Sequence, residues 1–298
     1  MRRRLPSLVW LVAVATAAGC QDPGPPSTDD AAGSSVVVLA AGNIATCGRD
    51  GDEATAALLG SLEGTVFAAG DNLYPDNPGD SFETCYGPSW GRHRDRTYPV
   101  LGNHEYDTGT ADPHFDFFGE RAGPRGLGYY SLDLGDWHVI VLNSVADRVS
   151  TERGGAQEAW LRHDLATARN TGCTLAIWHH PRFYQGPWNK NGNVTAFWDA
   201  LVAAGADVVV NAHFHLYERY APQDTDGNPD AENGMRQFTV GTGGRGLEVQ
   251  LEPAPNLEVR DNTSLGVLKL TLAPEHYRWE FVSVAGGTFS DSGSAACH

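Results

Sequence analysis

The sequence predicts an α/β fold with two mixed β-sheets flanked by helices. Three observations carry this expectation. Short β-branched runs alternate with helical patterns along much of the chain, a hairpin signal interrupts that alternation, and the C-terminal third reads as strands and turns with little helix.

The strands come first. Ser35 to Ala41, Thr65 to Ala69, Tyr98 to Leu101, Thr174 to Trp178 and Asp207 to Val210 are short apolar runs. Each is followed by glycine, asparagine or histidine, and each reads as a buried strand. Helical patterns lie between them. Asp52 is placed to cap a helix through Leu62, with Ala54, Leu58 and Leu62 on one face. Ala156 to Arg169 repeats the pattern with Trp160, Leu161 and Leu165, and Val194 to Ala204 with Phe197, Trp198 and Leu201. Such alternation implies a sheet covered by helices. Gly128 to Leu134 and Trp137 to Leu142 flank Gly135-Asp136, which signals an antiparallel hairpin. Gln237 to Val240, Gly266 to Leu272 and Tyr277 to Val284 continue as strands. Two packed sheets hold both the parallel and the antiparallel portions.

The N-terminus reads as a targeting segment. Arg2, Arg3 and Arg4 precede an apolar run, Leu8 to Ala18, that is too short to span a bilayer comfortably. It ends in Ala17-Ala18-Gly19-Cys20, which resembles a bacterial lipobox. Residues 1–20 are expected to be a signal peptide, 21–33 a flexible tether rich in Pro, Ser and Asp, and 34–298 the folded domain. A lipidated Cys20 would hold the exported protein at a membrane. The other reading is ordinary cleavage with Cys20 incidental.

The formal charge of −16 repels a polyanion and argues against general nucleic-acid binding. It leaves room for a small phosphorylated substrate, because a metal site inverts the local field. Four further cysteines, Cys47, Cys85, Cys173 and Cys297, suit disulfides in an exported protein. Three pairings are open. Cys47 and Cys85 each follow a candidate ligand, which favours joining them and leaves Cys173 with Cys297.

The chemistry sits at the strand ends. Gly42-Asn43 follows the first strand, Gly70-Asp71-Asn72-Leu73-Tyr74 the second, and Gly102-Asn103-His104-Glu105 the third. His179-His180 follows the fourth, and Asn211-Ala212-His213-Phe214-His215 the fifth. Ligands of α/β sheets bind beyond the carboxyl ends of strands. One strand-end histidine would be an ordinary loop residue, but five such segments in order point to a metal site with mixed oxygen and nitrogen ligands.

These segments resemble the calcineurin-like metallophosphoesterases, most closely their purple acid phosphatase-like branch. The family pattern GD-x-G, GD-x-x-Y, GN-H-E/D, a histidine, then GH-x-H is matched from the second block onward. The resemblance spans roughly Val36 to Cys297 and implies a four-layer αββα sandwich. It also implies two metal ions bridged by Asp71. Asn43, Tyr74 and His215 would complete the first site, and Asn103, His179 and His213 the second. A tyrosinate ligand implies Fe(III), paired with Fe(II), Zn or Mn. The implied reaction is hydrolysis of a phosphate ester by activated water, with His104 protonating the leaving oxygen or stabilising the phosphoryl charge.

Two residues depart from the pattern. The family has aspartate where this chain has Asn43, and glycine where it has Ala212. The first exchange removes a negative charge from the first site. It is compatible with an attenuated enzyme, with a mononuclear or non-catalytic phosphate binder, or with an incidental variant. The first is preferred, because every other ligand is present. His180 is as well suited to structure as to substrate contact. Glu218 and Arg219 are expected to pair beneath the last ligand loop, and Trp188, Asn189 and Lys190 to border the pocket. Asp224, Asp226, Asn228 and Asp230 alternate like calcium ligands, but Pro229 and the missing Glu favour a solvated loop.

Overall fold

The computed structural model describes residues 35–77, 79–168, 172–185 and 190–298. The expected signal peptide with Cys20, the tether, and Trp188 and Asn189 lie outside the described residues.

One sheet has six strands: β1 (Val36–Ala41), β3 (Thr65–Ala68), β5 (Thr97–Pro99), β13 (Gly266–Ala273), β14 (His276–Ser283) and β15 (Ser292–Ala296). Their order is β15-β14-β13-β1-β3-β5. The second has seven: β6 (Tyr130–Leu134), β7 (Trp137–Val141), β8 (Cys173–Ile177), β9 (Val208–Asn211), β10 (Tyr217–Tyr220), β11 (Arg236–Val240) and β12 (Leu257–Asp261). Their order is β12-β10-β11-β9-β8-β7-β6. The parallel and antiparallel portions are not segregated between sheets. β1, β3 and β5 run parallel in one, and β7, β8, β9 and β11 in the other, with antiparallel strands extending each. The 130–141 hairpin turns at Gly135, whose φ of +59° suits glycine.

Alternation along the strands builds the layers. Val139, Val141, Leu175, Ile177, Val208 and Val210 face the core shared by both sheets. Their neighbours Ile140, Ala176 and Val209 pack outward on Leu161 of α3 (Ala156–Thr167) and on Phe197, Trp198 and Leu201 of α4 (Thr195–Ala203). A period of two therefore feeds two cores at once. On the other side, Ala56 and Leu59 of α1 (Gly51–Ser61) and Phe115 and Phe118 of α2 (Asp112–Phe118) are buried in the same contiguous hydrophobic cluster.

Helix α1 departs from the sequence expectation. Asp52 lies inside its first turn and does not cap it; the buried face is Asp52, Thr55, Ala56 and Leu59 rather than Ala54, Leu58 and Leu62. The reason is polar. The Thr55 hydroxyl donates to the Gly243 carbonyl at 2.5 Å and accepts from the Trp90 indole at 2.8 Å, which turns that face inward. Glu218 and Arg219 also do not pair with each other. Adjacent strand residues point to opposite faces, so Glu218 meets Arg260 and Arg219 meets Asp291.

Cys47–Cys85 and Cys173–Cys297 are disulfide-bonded, with Cα–Cα distances of 4.8 and 5.7 Å, in the favoured pairing. Loops of this length are worth roughly 4–5 kcal/mol each at the chain-entropy limit.

Candidate metal centre

Parallel register brings the ligand loops together. Ala41 pairs with Ala68 and Ala68 with Pro99, so three strands of the first sheet end level. Past those ends the first two loops stay laced: Asn43 N–H donates to Gly70 O, Ile44 to Asp71 O and Ala45 to Asn72 O. A short parallel ladder follows, β2 (Ala45–Thr46) against β4 (Leu73–Tyr74). The second sheet joins through His179, whose Nδ1 lies 2.9 Å from Ala69 O. A carbonyl only accepts, so that nitrogen carries the proton and Nε2 is left for the site.

The backbone is strained where the chemistry sits. Among the described residues, four non-glycine residues have positive φ, and three of them are candidate ligands: Asn43 at +59°, Asp71 at +52° and His213 at +69°. Such conformations cost about 1–3 kcal/mol each and persist where the surroundings hold them. The surroundings here are tight. A Cβ on Gly102 would come within 2.3 Å of Asp71 Oδ1, and one on Gly42 within 2.5 Å of the Ala212 methyl. Ala212 is thus accommodated because its neighbour is glycine.

Seven of the eight residues singled out as ligands or acid meet one another directly, and Asn103 immediately precedes His104. Asp71 is 2 % exposed. Its Oδ1 accepts the His104 N–H at 3.0 Å, and its Oδ2 accepts the Tyr74 hydroxyl at 3.1 Å. Tyr74 Oη lies 3.4 Å from His215 Nε2. The His179 and His213 rings are 5.2 Å apart. His180 is closer to the site than expected: its ring lies 4.4 Å from His213, and its Nδ1 is 2.9 Å from the Ser144 hydroxyl. His179, His180 and His213 each bring a potential ligand nitrogen within 4.8 Å of the others. Lys190 instead reaches the Asp226 carbonyl. The 224–230 loop closes on itself, with Asp224 Oδ1 accepting the N–H groups of Asp226 and Asn228 at 2.9 and 2.8 Å.

Charge is concentrated on Asp71. Burial would raise its pKa, but a protonated His179 beside it more than offsets this and holds the carboxyl below its usual range; a metal ion would displace that Nε2 proton and take its place. Burial, then repulsion from His179, pushes His213 down to about 4. A neutral imidazole is the form that binds metal.

The two halves of the cluster differ in how their polar atoms are satisfied. On one side, Asn103 Oδ1, His179 Nε2 and His213 Nδ1 are buried with no hydrogen-bond partner among the described residues. His179 Nε2 sits 3.1 Å from Asp71 Oδ2 yet is not aligned to bond to it. Buried polar atoms left without partners around a carboxylate fit a metal ion. On the other side, Asn43 offers a donor. Its Nδ2 donates to Tyr74 Oη at 2.9 Å and to His213 O at 3.1 Å, while its Oδ1 accepts the His213 N–H at 2.9 Å. An amide N–H directed at the tyrosine oxygen does not fit a cation there.

Three participants are given no role by the sequence reading. Glu105 is buried and accepts the N–H groups of Asp71 at 3.0 Å, Asn72 at 2.7 Å and Gly102 at 2.6 Å, so one carboxylate clamps two ligand loops. Burial and the neighbouring Asp71 push it up to about 7. Asp107 Oδ2 lies 2.6 Å from His104 Nδ1, which leaves His104 Nε2 facing the site 4.0 Å from Asp71 Oδ2. The Arg245 guanidinium covers the Tyr74 ring, 4.8 Å from its centroid. Glu105 could have been suspected from the third block; Asp107 and Arg245 only from the fold.

The calcineurin-like phosphoesterase family model matches residues 48–217, more than half of the chain. That stretch starts after Asn43 and takes in every other proposed ligand. Purple acid phosphatase 15 of Arabidopsis thaliana is 26% identical over 167 residues, covering 49% of this chain and 30% of that protein. Purple acid phosphatase 22 of the same plant is 26% identical over 185 residues, covering 58% and 40%. The chain therefore spans less than half the length of these relatives. Among solved structures, purple acid phosphatase PPD1 from yellow lupin (Lupinus luteus) seeds superposes with a TM-score of 0.70 at 18% identity, covering 89% of this chain and 54% of that one. GAP50, the anchor in the inner membrane complex of Plasmodium, gives 0.66 at 13% identity, covering 89% of both chains. The chain belongs to the calcineurin-like phosphoesterase family, on its purple acid phosphatase-like branch.

Proposed function

We propose that this chain is an exported, metal-dependent hydrolase of small phosphate esters. The observation that carries the reading is the set of three unpartnered buried polar atoms, on Asn103, His179 and His213, around the Asp71 carboxylate. These four residues would hold the metal, and an ion there supplies charge for the phosphoryl oxygens and a more acidic bound water. Iron, zinc and manganese all suit the mixed donor set.

The protein's own part follows from His104. Its ring is 35 % exposed at the mouth of the cluster, tilted against the Tyr74 ring with centroids 4.3 Å apart. The Asp107 carboxylate accepts from Nδ1–H and fixes the orientation of the ring. Water attacks phosphorus and releases a proton to solvent, the bond to the leaving alkoxide breaks, and His104, as the imidazolium, passes its Nε2 proton to that oxygen. Metal analysis beside assays on p-nitrophenyl phosphate and bis(p-nitrophenyl) phosphate tests this. Hydrolysis of either ester that chelator abolishes and added metal restores is expected; protein that takes up no metal, or stays inactive on both esters when metal-loaded, contradicts the reading.

Two disulfides support an oxidising compartment. We further propose that lipidation of Cys20 tethers the protein to a membrane. Fractionation then finds wild type with membranes and Cys20→Ser released; equal solubility contradicts the anchor.

A further inference from the structure

We infer that this centre takes one metal ion, in the Asp71–Asn103–His179–His213 half, and that Asn43 closes the other half as a hydrogen-bonded protein cluster. The inference rests on the metal-dependent reading above and narrows it.

The orientation of the Asn43 amide is determined by its neighbours. The side chain is fully buried. Both polar groups of the His213 peptide hold it: the N–H donates to Oδ1 and the carbonyl accepts from Nδ2. Turning the amide over would set NH2 against N–H and oxygen against oxygen, two mismatches at once. The second Nδ2 hydrogen is therefore committed to Tyr74 Oη. Because Nδ2 only donates, Tyr74 accepts there and gives its own hydrogen to Asp71 Oδ2. Neither Asn43 nor Tyr74 has an unpartnered buried atom, whereas Asn103, His179 and His213 each have one. An ion beside Tyr74 would face an N–H and displace a satisfied network; an ion in the other half would satisfy three orphaned atoms.

A positive charge already stands over the closed half. Arg245 covers the Tyr74 ring, its backbone N–H donates to Asn43 O at 2.9 Å, and its guanidinium lies 3.3 Å from Asp76. A cation on an aromatic face needs no metal beneath it. An aspartate at position 43 would change this half. One oxygen would still accept the His213 N–H, and the other would present a lone pair toward Tyr74.

The test is metal stoichiometry on chelator-stripped full-length protein, titrated with Zn(II) and separately loaded with Fe(III), read by calorimetry and elemental analysis. Wild type binds one ion per chain, and Tyr74→Phe also binds one, with the roughly tenfold loss of affinity expected when a ligand carboxylate loses a hydrogen bond. Asn43→Asp binds two, and its Fe(III) form gains a visible band that Asn43→Asp/Tyr74→Phe lacks. Two ions in wild type, or loss of the single ion in Tyr74→Phe, overturns the inference. Asn43→Asp that folds and still binds one overturns the role given to Asn43. Should that variant fail to fold, wild type and Tyr74→Phe decide alone. No ion in any folded form instead overturns the metal-dependent reading itself.

Discussion

The Asp71–Asn103–His179–His213 half and the Asn43–Tyr74–His215 half share a carboxylate and strained backbone, yet they are finished differently. The first leaves three buried polar atoms without partners. In the second, the amide of Asn43 supplies a hydrogen where the family's aspartate would supply a lone pair. A carboxylate and an amide have the same shape, so the fold is undisturbed; what changes is the sign of the group facing Tyr74. The lesson is that a metal site is specified by which atoms remain unsatisfied, and not only by which residues converge.

The sharpest way to break the comparison is to remove one histidine from each half. Sequence reading makes His213 and His215 equal ligands. The two halves now predict that His213→Ala weakens metal binding by at least about a thousandfold, since several kcal/mol of ligation is lost. His215→Ala should change it less than about threefold. Calorimetric titration of both variants, with circular dichroism confirming the fold, checks this; equal losses would restore two equivalent half-sites.

A smaller effect separates binding from chemistry. His104→Ala should lower kcat by about a hundredfold, in the range for a lost general acid, with metal content unchanged. Asp107→Asn should lower it about tenfold. Steady-state kinetics with elemental analysis distinguishes these from ligand loss, because a metal-poor His104→Ala protein would make His104 a ligand.

The smallest effect concerns the clamp. Glu105→Gln keeps the shape but weakens a carboxylate that accepts three N–H groups from two ligand loops. Loss of such support costs about tenfold or more in metal affinity. An unchanged affinity would mean that the loops hold themselves.

The strand-end loops were legible in the sequence because their signals are local: a β-branched run, a glycine, then Asn, Asp or His. The α4 face of Phe197, Trp198 and Leu201 was legible for the same reason. The α1 face was not, because a buried threonine bound to Gly243 overrides apolar periodicity. The roles of Asn43 and Arg245 were hidden because they depend on contacts far apart in the chain. Asn43 is read correctly as a departure, but only the His213 peptide shows which way its amide faces.

The most direct test of the account is an anomalous-scattering map from crystals of the wild-type protein loaded with zinc. The account predicts one peak per chain, bounded by Asp71, Asn103, His179 and His213, with the Asn43 amide still bonded to Tyr74. A second peak of comparable height between Tyr74 and His215 would contradict it.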